Sequence, residues 1–117
     1  MRDHDDTLIS ELSAHYARLL QAGFIMLRQA VASADLDWIQ AEIEFLHNVP
    51  SLIGESNMLR HEYFWSKERI AYTEWATVPG REHQNSRLRT YYQPIWNDMD
   101  SAMKKILDRI EATNKNK

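Results

Sequence analysis

The sequence predicts an all-α fold: an antiparallel four-helix bundle with a short second helix and a fourth helix kinked near Pro94. Three observations carry this. Apolar residues recur by threes and fours along four stretches, the spacing of a helix with one buried face. Glycine and proline are scarce, three of each in 117 residues, and Pro50, Gly54, Pro79 and Gly80 fall between those stretches. No segment alternates with the two-residue period of a strand. Short connections between long helices favour antiparallel neighbours.

The first stretch runs from about Thr7 to Ala32, with Leu8, Leu12, Tyr16, Leu19, Gly23, Met26, Leu27 and Ala30 in phase and Leu20, Phe24 and Val31 broadening the face. Asp3, Asp5 and Asp6 stand just before it, where carboxylates suit free N–H groups and the helix dipole. Gly23 lies in the apolar seam, at a cost of about 1 kcal/mol relative to alanine, which is intelligible if another helix comes close there. Ser33-Ala34-Asp35 then marks a turn with a capping residue.

The second helix is predicted over Leu36–Asn48, with Leu36, Ile39, Ile43 and Leu46 inward and Trp38 and Phe45 on nearly the opposite side. Pro50 ends it, and residues 50–56 read as a loop whose Leu52-Ile53 pair folds down as a plug or a single turn. Ser56 or Asn57 caps a third helix over 57–76, which closes before Val78-Pro79-Gly80.

The fourth stretch, from about Gln84 to Ala112, repeats Leu88, Tyr92, Ile95, Met99, Ala102, Ile106 and Ile110. Pro94 removes one backbone hydrogen bond and crowds the carbonyl of Thr90, so a kink is predicted at 90–94 instead of a break. Residues 1–112 form one helical domain on this reading, with 113–117 as a frayed tail.

Composition narrows the function classes. The net charge of −3 argues against non-specific nucleic-acid binding. The absence of cysteine excludes disulfides, thiolate metal sites and cysteine nucleophiles. There is no signal-peptide pattern and no apolar run near the roughly 20 residues of a membrane span, so a soluble, cytoplasmic protein without a membrane partner is expected. Charge is uneven. Residues 29–59 hold no Lys or Arg but do hold Asp35, Asp37, Glu42, Glu44 and Glu55, while 81–89 carries Arg81, Arg87 and Arg89 against Glu82.

The third helix is the most unusual. Met58, His61, Trp65, Glu68, Tyr72 and Trp75 share one face, and two of those six places go to an imidazole and a carboxylate. Buried charge is costly unless paired or hydrogen-bonded. That face therefore either meets polar partners in a buried network that fixes helix register, or lines a site. A ligand site would draw on His61, Glu68, Arg69, Tyr72 and Trp65, an aromatic lining with convergent polar groups.

A metal site is the narrower version, with His47, His61 and Glu68 as ligands. Glu44 and His47 form one Glu-x-x-His pair, of which di-iron bundles use two, and no second pair occurs. No nucleophile elbow, phosphate-cradling glycine loop or HExxH motif appears, so catalysis has little to stand on, and an enzymatic role stays open only with the ligand- or metal-site reading.

The leading functional expectation is a non-enzymatic helical interaction module that self-associates through Trp38 and Phe45, aromatic anchors within an acidic rim. The alternative is a small-molecule- or metal-binding bundle whose site lies on the 57–76 helix, its cofactor unspecified.

Overall fold

The computed structural model describes residues 2–115, with side chains from residue 5 onward, and every described element is helical. The elements are α1 (Arg2–Ala32), α2 (Leu36–Leu46), a single turn α3 (Val49–Leu52), α4 (Met58–Tyr63), α5 (Arg69–Ala76), α6 (Glu82–Tyr91) and α7 (Gln93–Lys115). A π-helical turn, Phe64–Glu68, joins α4 to α5 without interruption.

Helix α1 is the spine. It begins at Arg2, so Asp5 and Asp6 lie within its first turns instead of before it; the side chain of Asp3 lies outside the described residues. Asp5 instead forms an ion pair with Arg109 of α7. The other end of α1 closes through a bond from Asp35 N to Ala30 O (3.2 Å) with Ala34 in the left-handed region at φ 52°. Asp35 then caps α2 by accepting from the Trp38 backbone N–H at 3.1 Å.

Helix α2 folds back along α1. A β-carbon placed on Gly23 would lie 2.5 Å from Leu46 Cδ1, so the glycine leaves the space in which the Leu46 side chain seats against α1. The rotation of α2 is the reverse of the sequence expectation. Trp38, Glu42 and Phe45 are buried, whereas Leu36 and Ile43 are exposed and Ile39 and Leu46 half-buried. The aromatic pair Trp38 and Phe45 meets other rings on the inner side. Phe45 lies 4.9–6.0 Å, centroid to centroid, from Phe64, Tyr72, Tyr92 and Trp96.

The 50–56 segment does form a single turn, with Leu52 buried, Ile53 exposed and Gly54 N–H held by Ser13 Oγ at 2.8 Å. Asn57 caps α4 by accepting from Leu59 N–H. On an uninterrupted α-helix Phe64 and Tyr72 would sit about 80° apart; the extra residue of a π-turn removes about 100° and brings them to about 20°. Both are buried, and Trp65, expected inward, is half-buried.

The expected fourth helix is two. Helices α6 and α7 meet at Tyr92, with Tyr92 N–H bonded to Leu88 O and Trp96 N–H to Tyr92 O, both at 2.9 Å. Pro94 becomes the second residue of α7, where no intrahelical N–H donor is needed. Helix α7 continues to Lys115, so the expected frayed tail is helical through 115, and residues 116–117 lie outside the described part.

Candidate functional site

Four arrangements of polar or apolar groups depart from an ordinary helical core. The first is a buried carboxylate. Glu42 is fully buried on α2, and its Oε2 accepts from Trp38 Nε1 at 3.0 Å and from the Tyr72 hydroxyl. Its Oε1 accepts from the Tyr92 hydroxyl at 2.5 Å. Trp38 stands one turn before Glu42, while Tyr72 and Tyr92 arrive from α5 and the α6–α7 junction, so one side chain ties three parts of the molecule together. Burial raises the Glu42 pKa above its ordinary value, and the three donors act in the opposite direction. Burial and the adjacent Glu42 push both tyrosines up, so they remain protonated donors.

The second is His61. Its Nε2 lies 2.7 Å from the Glu55 carbonyl, which can only accept, so Nε2 carries the proton. Its Nδ1, 2.8 Å from the Tyr16 hydroxyl, is then the acceptor for that O–H. The ring stacks on Tyr16 at 5.6 Å. Burial lowers the His61 pKa, in keeping with a neutral imidazole. Both nitrogens are engaged in holding the 53–57 turn to α1.

The third is a cleft of about 160 Å³ between α2 and α5, lined by Ala41, Glu44, Phe45, Glu68, Ala71, Tyr72 and Trp75. Glu68, the last residue of the π-turn, accepts from Asn48 Nδ2 at 3.3 Å through Oε1, while its buried Oε2 accepts no hydrogen bond. Trp75 carries the Arg81 guanidinium 4.6 Å from its ring centre.

The outside of the α1–α2 hairpin is apolar as well. Phe24 and Val31 on α1 are 66% and 59% exposed, Leu36 and Ile43 on α2 78% and 51%. Taking the Gly23–Leu46 contact as the line between the helices, 100° per residue places all four on the side away from the core. Half-buried Leu20, Leu27, Ile39 and Leu46 form the floor between them.

The structure redistributes the residues singled out in the sequence. Glu68 and Tyr72 line the cleft. His61 does not; it is sealed within the core. Arg69 and Trp65 pair with each other outside it, the guanidinium 3.9 Å over the Trp65 ring and 5.9 Å from Trp96, with Arg69 Nε donating to Trp65 O. Trp38 and Phe45, expected as surface anchors, are 0% and 3% exposed because α2 turns its aromatic side to the core.

The metal triad does not assemble. His47 is exposed and donates from Nδ1 to the Glu44 carbonyl, His61 has both nitrogens bonded, and no group of three potential ligands occurs among the described residues. Sequence reasoning missed Glu42 and Phe45 as inward residues and Ala41 and Ala71 as cleft walls, whereas Trp75 stood on the face expected to line a site. The signal was present: Trp38, Glu42, Phe45 and Val49 recur at four, three and four.

No helix among the described residues is long and apolar enough to cross a membrane. No family model, no curated protein and no solved structure matches this chain.

Proposed function

We propose that the protein is a non-enzymatic helical interaction module whose outer α1–α2 face binds a second copy of itself. The observation that carries this reading is the exposed apolar quartet Phe24, Val31, Leu36 and Ile43, continuous with a half-buried aliphatic floor. A contiguous apolar patch rimmed by polar residues is the kind of surface that association covers.

The charge of the rim favours a second copy over an unrelated partner. Leu46 lies opposite Gly23, so Arg28 on α1 stands level with residue 41 of α2. A two-fold axis parallel to the helices sets α1 of one copy against α2 of the other at equal height. Exposed Arg28 then falls between Asp37 and Glu44 of the partner, and by symmetry the pairing occurs twice. Residues 29–59 carry no cation of their own to satisfy that acidic rim. Phe24 meets the partner near Ile43, and Val31 meets it near Leu36.

Sedimentation over a concentration series tests the reading. The wild-type chain is expected to pass from monomer to dimer, and Phe24→Glu/Ile43→Glu to remain monomeric with unchanged helicity. A wild type that stays monomeric at millimolar concentration, or a double variant that dimerises equally well, overturns it.

A further inference from the structure

We propose that the chain forms a second kind of dimer, in which two copies exchange α1 and the α1–α2 turn straightens into one continuous helix. The sequence register carries the argument. Phe24, Leu27, Val31, Ala34, Trp38, Ala41 and Phe45 recur at three, four, three, four, three and four, an unbroken helical seam that runs straight through the turn at 33–35. No glycine or proline occurs between Gly23 and Pro50, so no residue of this stretch demands a bend.

The monomer fold divides that seam. On α2 its residues Trp38 and Phe45 are buried, whereas on α1 Phe24 and Val31 stand exposed. The break falls on Ala34, an alanine held in the left-handed region at φ 52°. Straightening returns Ala34 to the right-handed helix. The Trp38 N–H, capped by Asp35 in the monomer, then passes to the Ala34 carbonyl as its i−4 partner. Short hinges under strain favour exchange of this kind.

One hinge suffices, since every other described element follows α1. In the exchanged dimer each α1 packs on α2–α7 of the other copy and remakes there the contacts of the monomer: Tyr16 with His61, Ser13 with Gly54, Arg18 with Asp98. The Glu42 network joins α2, α5 and the α6–α7 junction, so it stays within one chain. The gain is the relief of Ala34 at two hinges. Val31 gains cover as well, because the straight helix turns it to the side on which Trp38 of the same chain enters the core.

The inference rests on self-association but not on the outer face as its surface, and the test separates the two. Gly23 stands against Leu46, so exposed Gln21 and His47 lie side by side in the hairpin, within about 20 Å, but about 39 Å apart along one straight helix. The chain lacks cysteine, so Gln21→Cys/His47→Cys takes two nitroxide labels and no others. Labelled chain is refolded at millimolar concentration with a roughly tenfold excess of unlabelled chain, and the separated monomer and dimer are read by double electron–electron resonance. The long distance is expected in the dimer and the short one in the monomer. Ala34→Gly suits the left-handed turn and disfavours the helix, so it is expected to weaken the exchanged dimer at least about tenfold per hinge, about a hundredfold in all. A dimer that shows only the short distance overturns exchange and leaves the outer-face dimer standing, whereas a chain that stays monomeric overturns both. A long-distance dimer that Ala34→Gly does not weaken overturns the role given to the hinge.

Discussion

The two faces of α2 show opposite solutions to the same problem. Inward, a carboxylate sits among rings: Glu42 is buried with Trp38 and Phe45, and each of its oxygens is hydrogen-bonded. Outward, Leu36 and Ile43 stand in the open beside Phe24 and Val31 of α1. A polar group is tolerated inside where neutral donors converge on it, and aliphatic groups are left outside where a partner can cover them. Glu68 sharpens the contrast within the interior. It lies in the wall of a cleft and has only one of its two oxygens satisfied, whereas Glu42 has no access to a ligand and no free acceptor.

Removing the inner carboxylate should have the largest effect. Glu42→Ala leaves the Trp38 indole and two tyrosine hydroxyls without an acceptor and is expected to cost about 3–5 kcal/mol in denaturant unfolding. Glu42→Gln keeps an acceptor and removes the buried charge. Because the folded-state pKa of Glu42 is raised, its favourable contribution is complete below the ordinary carboxylate value near 4.5 and is lost as pH rises through the raised value. The Gln variant should therefore gain on wild type as pH rises above the ordinary carboxylate value. A stability difference that does not vary with pH would mean that Glu42 titrates alike in the folded and unfolded chain.

The histidine latch ranks next. His61→Ala should cost about 2–3 kcal/mol through the unpaired Tyr16 hydroxyl and Glu55 carbonyl. In the wild type, the depressed His61 pKa gives a contribution that is full above its ordinary value of 6.5 and lost as pH falls through the folded value. The variant should lack that acid-side loss, as measured by thermal unfolding across the window. If the acid-side loss persists unchanged, it comes from another group.

Smaller effects are expected at the turn and on the outer face. Ala34→Gly removes a left-handed alanine and should stabilise by about 1 kcal/mol in thermal unfolding; an unchanged or lowered melting temperature would show that the turn carries no strain. Leu36→Ser or Ile43→Ser, measured in dilute solution where the chain is monomeric, should change stability by no more than about 0.5 kcal/mol. A loss several times larger would make the outer face part of the monomer core and break the comparison.

Much of this was legible in the sequence, and the failures have physical causes. The helical periodicity, the capping by Asp35 and Asn57, the close approach at Gly23 and the turn at Leu52 all follow from local residue chemistry. The rotation of α2 was not local. It carries apolar residues on two faces, and what decides between them is which face meets the rings of α5 and α7 and the donors Tyr72 and Tyr92, 30 and 50 residues further along the chain. The division at Tyr92 arises where Pro94 finds a place that suits a missing N–H. The π-turn had no sequence signature, yet it exchanges Trp65 for Phe64 in the core and sets the position of Glu68. Of the polar stripe on the 57–76 segment, His61 became architecture and Glu68 became a cleft wall. The sequence marked both as unusual but held nothing to separate them.

The most direct test of self-association is a mixed sample of isotope-labelled and unlabelled chains, read for contacts between copies by filtered NMR. The expected result is a set of inter-copy contacts joining Phe24 to Ile43 and Val31 to Leu36. No contact between copies at concentrations where dimer is expected, or contacts confined to other surfaces, would contradict the account.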